Sequence, residues 1–167
     1  MKHTVLALAA ALALGCGDGH EPLDPSTGAL GVVADGFVYR ASTAVMESFP
    51  VQLGTTLTIV NPGGSPGRLV FPDGCVVLLR AYAMEEPDRE VWDQADTVAC
   101  TMALVEIVIR PGGTYEFITR TDAARILGDS LPDGRYRLEA YTRPGPGELA
   151  VSAGVVDLAV PRDSSGP

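Results

Sequence analysis

The sequence predicts an antiparallel β-sandwich, and three observations predict it. Apolar and polar residues alternate with a period of two in several short segments, as strands with one buried face require. Gly- and Pro-rich turns separate those segments. Helix signals are confined to one stretch, 121–128. About seven to nine short strands with almost no helix bury their inward faces most simply as two packed sheets. A closed barrel is the runner-up. No internal repeat is visible.

The elements follow in order from residue 28. Leu53, Thr55, Leu57 and Ile59 alternate with Gln52, Gly54, Thr56 and Thr58, a half-buried strand. Asn61-Pro62-Gly63-Gly64-Ser65-Pro66-Gly67 then makes a turn-rich connection, since Pro fixes φ and Gly tolerates positive φ. Residues 68–71 form a short strand, Pro72-Asp73-Gly74 a turn, and 76–83 a buried apolar run. In 104–109, Val105, Ile107 and Ile109 share one face, with Glu106 and Arg110 on the other. Pro111-Gly112-Gly113 turns the chain into a strand over 114–119. The helical turns of 121–128 would take Thr121 as cap and Gly128 as stop. Pro132-Asp133-Gly134 leads into 135–142, with Tyr136, Leu138 and Ala140 inward, and the last strand lies within 149–160. Tyr136 reads as a packed tyrosine whose hydroxyl fixes a corner.

Ahead of this region, Lys2 is followed by an apolar stretch at 4–14 and then by Gly15-Cys16. About eleven residues are too few to span roughly 30 Å of hydrocarbon, which takes about 20. A basic start, a short apolar stretch and small residues before a cut make a secretory signal. With the cysteine it resembles a bacterial lipoprotein signal, which implies cleavage before Cys16 and diacylglycerol on its sulfur. The expected organisation is a signal peptide (1–15), a lipidated Cys16 with a flexible tether (16–27), a sandwich domain (28–161) and a disordered tail (162–167). The expected location is the bacterial cell envelope, outside the cytoplasm and held by lipid. Gly17 rather than Asp after the cysteine points to an outer membrane where the host has one. No cofactor is expected beyond that lipid.

Composition narrows the partners. The formal charge is −9, and Lys2, lost with the signal, is the chain's single lysine. An acidic domain without a basic cluster is a poor ligand for nucleic acid or anionic head groups, so any membrane contact is through the lipid alone. With Cys16 assigned to lipid, Cys75 and Cys100 are expected to pair in an oxidising compartment. Closing a loop of about 26 residues contributes roughly 3.5 kcal/mol in the chain-entropy model.

Further motifs carry a family likeness. Leu57-Thr58-Ile59-Val60-Asn61 before a turn, Phe71-Pro72-Asp73-Gly74-Cys75, Val91-Trp92 and Ile109-Arg110-Pro111-Gly112 come in a recognisable order. Tyr115-Glu116-Phe117 and Leu131-Pro132-Asp133-Gly134-Arg135-Tyr136 complete it. Together they resemble the BsuPI-type intracellular proteinase inhibitor domains over about residues 51–142. The resemblance implies an Ig-like sandwich and attaches proteinase inhibition as a label, with no reactive-site motif to map.

Candidate sites are few. The two histidines, His3 and His20, lie in the signal and tether, so the folded region holds no Ser-His or Cys-His arrangement. No catalytic residue and no metal ligand is therefore assigned, and the expectation is not an enzyme. The distinctive surface feature is Glu85, Glu86, Asp88, Arg89, Trp92 and Asp93, bounded downstream by Cys100. One reading is a disulfide-braced binding loop with Trp92 as anchor and the acids steering a basic partner. The reading preferred for the acids is a plain solvated connection, with Trp92 a core or half-buried anchor, and a calcium site lacks the ordered ligand spacing of an EF-hand loop. The expected function is an envelope-anchored, non-enzymatic module that recognises another protein. The alternatives are a proteinase inhibitor acting through a loop near 72–100, and a small carboxylate-dependent enzyme.

Overall fold

The computed structural model describes residues 31–46 and 51–160. The expected signal peptide, lipidated Cys16, tether and tail lie outside the described residues. Ten strands form two open four-stranded sheets and one two-stranded ribbon, all antiparallel. The first sheet orders β1 (Val32–Ala34), β2 (Phe37–Met46), β3 (Gln52–Val60) and β8 (Thr114–Asp122). The second orders β10 (Leu149–Leu158), β9 (Gly134–Thr142), β5 (Leu78–Ala83) and β6 (Glu90–Asp93). β4 (Gly67–Phe71) and β7 (Val105–Ile109) make the ribbon. The fold is an all-β sandwich, not a barrel, because among the described residues each sheet keeps two unpaired edges. The short edge strands β1 and β6 bring the count above seven to nine.

Alternation builds the core. In β3, Leu53, Thr55, Leu57 and Ile59 are all fully buried while their neighbours are not. They meet Leu79 and Ala81 of β5, Leu138 and Ala140 of β9, and Val151 of β10 from the other sheet. Thr55 is tolerated there because its hydroxyl bonds that of Thr43 across the strand pair, at 2.8 Å. The β1–β2 hairpin turns on Asp35-Gly36, with φ of 50° and 81°, the left-handed pair that a two-residue hairpin needs.

β3 and β8 pair in register up to Val60↔Thr114, and β4 and β7 resume from Gly67↔Ile109 to Phe71↔Val105. The two pairings are one ribbon bent at a corner. Buried Asn61 holds that corner: its Nδ2 donates to the carbonyls of Ser65 and Ile109, both at 2.9 Å, and its Oδ1 accepts from Gly63 N–H. Gly67 leaves room for the Phe37 ring, into which a Cβ would run. The ribbon ends where Gly74 N–H donates to the Thr101 carbonyl, beside the Cys75–Cys100 disulfide, with Cα atoms 5.3 Å apart. The disulfide therefore pins the 76–99 excursion at its base.

The helix α1 (Ala123–Leu127) is capped by Asp122, whose Oδ1 accepts from Arg125 N–H at 2.8 Å, and Gly128 follows at φ 51°. Thr121, expected as the cap, is instead a buried inward residue of β8. The strand runs on through Asp122, which places the cap one residue later. Tyr136 does fix a corner, its hydroxyl donating to the Pro132 carbonyl at 2.6 Å.

Taken in chain order, β2, β3 and β8 hold the places of strands A, B and E of an immunoglobulin sandwich. β5, β6, β9 and β10 hold those of C, C′, F and G. β7 stands where D is expected but pairs with β4, so β8 ends its sheet.

Candidate functional site

The 85–93 segment is a β-hairpin tip and an edge strand, not one continuous loop. β5 and β6 pair through Arg80↔Asp93, Ala81↔Trp92 and Tyr82↔Glu90. Glu85, Glu86, Asp88 and Arg89 lie exposed at the tip. Glu86 N–H donates to the Ala83 carbonyl and Arg89 N–H to that of Glu86, while the Glu86 and Arg89 side chains pair at 3.1 Å. Trp92 faces the other way. It is half-buried against the core, opposite Ala81, and its indole N–H is buried without a partner. A register irregularity at Val91 explains this: Trp92 opposes inward Ala81, while Glu90 and Asp93 oppose outward Tyr82 and Arg80.

Asp93 belongs to a different constellation, on the outward face of the second sheet. Its Oδ2 pairs with Arg80 Nε at 3.0 Å, and its Oδ1 accepts from the Tyr141 hydroxyl at 2.7 Å and from Ala95 N–H at 2.8 Å. Burial works against the charged carboxylate, but the Ala95, Tyr141 and Arg80 bonds prevail and hold its pKa below the usual carboxylate range. Arg80 is also bonded by Glu148, at 3.0 Å for its Nη2, and by Glu90 at 3.1 Å. Its guanidinium lies 3.9 Å from the centre of the Tyr141 ring. The Glu148 bond leads in raising the pKa of Arg80, so it stays charged throughout. Glu90 is pushed up, first by burial and then by the Asp93 charge.

A second stack lies beside the first. Arg137 sits 4.0 Å over the Tyr82 ring, pairs with Glu139 at 3.2 Å, and donates through Nη2 to the Pro87 carbonyl at 2.8 Å. That last bond ties the hairpin tip to β9. The Tyr82 hydroxyl donates to Glu139 at 3.2 Å. Arg80, Tyr82, Arg137, Glu139, Tyr141 and Glu148 are absent from the sequence-based site. Alternation in β5 and β9 marks the first four as outward-facing; which of them meet depends on the β5–β9 register, Arg80↔Glu139 and Tyr82↔Arg137.

A cleft of about 330 Å³ opens beside the disulfide, lined by Cys75, Val76, Val98, Val105, Phe117 and Ile118 among others. Gln94, also in its lining, joins the two sheets. Its Oε1 accepts from Leu79 N–H and the Thr119 hydroxyl, and its Nε2 donates to the Arg120 carbonyl at 3.2 Å. None of the lining residues is a carboxylate. Among the described residues, the one group close enough to hold a metal is Asp73 with Cys75 and Cys100, whose sulfurs the disulfide uses. The carboxylates of 85–96 do not gather into such a group.

No protein-family model and no curated protein matches this chain, so the BsuPI-type resemblance rests on the quoted motifs alone. Solved structures with some likeness include a β-glucosidase from Erythrobacter marinus, at TM-score 0.37 and 11% identity over 71% of this chain. This chain spans 15% of that enzyme's length. The structural genomics target SoR45 gives TM-score 0.40 and 14% identity, covering 78% of this chain and 91% of that one. The ApaA protein from Bordetella pertussis gives 0.35 and 18%, covering 74% and 96%. Likeness at this level carries no argument about the site.

Proposed function

We propose that the chain is a non-enzymatic binding module, anchored through a lipidated Cys16 in a bacterial cell envelope, that recognises another protein. The recognition surface is the outward face of β10–β9–β5–β6 with the 84–89 tip. One observation carries this reading: two arginines stacked on two tyrosines, each guanidinium fixed by carboxylates before any partner arrives. Arg and Tyr dominate the energetics of protein interfaces, and side chains already ordered lose little entropy on binding. The carboxylates of that face are engaged by arginine, and the apolar cleft offers none, which favours binding over carboxylate catalysis.

The test is capture of envelope proteins by the Cys16→Ser chain. Arg137→Ala and Tyr82→Ala are expected to weaken retention of the partner by roughly tenfold or more, while Thr58→Arg on the first sheet leaves it unchanged. Equal retention by all variants would remove the proposed face. A second reading, proteinase inhibition through the tip, draws on the exposed 85–89 residues tied back by Arg137. It requires stoichiometric inhibition in a titration against serine, cysteine, metallo- and aspartic proteases, abolished by reducing the disulfide.

A further inference from the structure

Among the described residues β8 ends its sheet, and its unpaired side can be identified. At the two ends of the β3–β8 pairing, Asn61 N–H donates to the Gly113 carbonyl and Ala123 N–H to that of Val51. Odd-numbered residues of β8 thus direct their backbone groups to β3, since antiparallel pairs alternate between bonded and non-bonded positions. The N–H and C=O of residues 114, 116, 118 and 120 consequently point away from β3. Gln94 reaching the Arg120 carbonyl from outside the sheet agrees with this. The cleft adjoins the same edge at residues 117–119.

The side chains on that edge are arranged symmetrically. Ile118 is 55% exposed, and Glu116 and Arg120 flank it on the same face, both exposed. Neither forms an ion pair among the described residues. An edge strand without lysine, proline or a bulge is a template for another strand, and a two-fold interface demands a surface complementary to itself. β8 meets that demand. Laid antiparallel on a second β8 about Ile118, each Glu116 faces an Arg120 and each Ile118 faces its own copy.

We propose that two copies of this chain associate through β8, pairing antiparallel about Ile118 to make one continuous eight-stranded sheet. Glu116 and Arg120 set the register: sliding one strand by two residues breaks both pairs, and sliding it by four brings Glu116 onto Glu116 or Arg120 onto Arg120. Gln94 occupies one lone pair of the Arg120 carbonyl and leaves the other for the incoming strand. This surface lies on the sheet opposite the Arg–Tyr face and does not depend on it.

Sedimentation equilibrium of the full chain carrying Cys16→Ser, over micromolar to millimolar concentrations, tests the proposal. The wild-type surface is expected to show a monomer–dimer equilibrium. Glu116→Arg alone and Arg120→Glu alone should each weaken it at least tenfold, by placing like charges opposite one another. The double swap Glu116→Arg/Arg120→Glu should restore it, because the pairs are re-formed with reversed sign. Monomer at every concentration, a dimer indifferent to the single reversals, or a double swap that fails to restore would each overturn the proposal. So would an edge that pairs only with a different protein.

Discussion

Tyr39 shows how far one buried residue departs from its sequence signal. It is fully buried, and its hydroxyl has no hydrogen-bond partner among the described residues. Burial, with the Asp35 charge second, pushes its pKa up to about 12. Folding thus favours the neutral phenol. The stability this contributes is complete below the unfolded value near 10 and is lost as pH rises through the folded value near 12. Tyr39→Phe is expected to fold, to gain about 1 kcal/mol at neutral pH by removing an unsatisfied polar group, and to lose this alkaline dependence. Urea unfolding at pH 7 and pH 11 would check both; a Tyr39→Phe chain as alkali-sensitive as wild type would contradict the assignment. Trp92 makes the opposite point. A tryptophan among acids reads either as a half-buried core anchor or as a contact residue, and its packing from β6 against the core gives the first.

At the scale of elements, the bent ribbon and its disulfide do what a hydrophobic core cannot do for an excursion. Residues 76–99 leave the ribbon and cross to the other sheet, and Cys75–Cys100 fixes both ends of that departure. Opening the bond by Cys75→Ser/Cys100→Ser is expected to cost about 3 kcal/mol, chiefly by freeing the unfolded chain. The amides of the edge strand β6 should then exchange faster than those of β9, which is paired on both sides. A disulfide-free chain with unchanged urea midpoint would contradict this. The elements themselves were legible: β3, β4, β7, β9 and β10 all fall within one or two residues of the alternation or apolar runs that predict them. β6 was not, because four acid-rich residues carry no strand signal of their own and depend on pairing with β5. Asp35-Gly36 between apolar pairs is a hairpin signal legible in the sequence.

At the scale of the whole molecule, the two sheets present different outer faces, one carrying the Arg–Tyr stacks and the other Thr56 and Thr58 of β3 beside Glu116 and Ile118 at the edge strand β8. If a lipid on Cys16 holds the chain to a membrane, Cys16→Ser should shift it from the membrane to the soluble fraction, since each buried acyl methylene contributes about 0.8 kcal/mol. Fractionation with continued membrane retention would exclude the anchor. The sequence by itself determined the all-β class, most strand positions, the inward faces and the Cys75–Cys100 pair, because alternation, turn chemistry and cysteine pairing are local or compositional signals. Only the tertiary structure decided that Asp93 joins Arg80 and Tyr141, that Arg137 covers Tyr82, and that β8 is left as an edge. Those facts depend on which strands become neighbours and in what register. That choice is made by burying the whole set of inward faces at once, and no single segment records it.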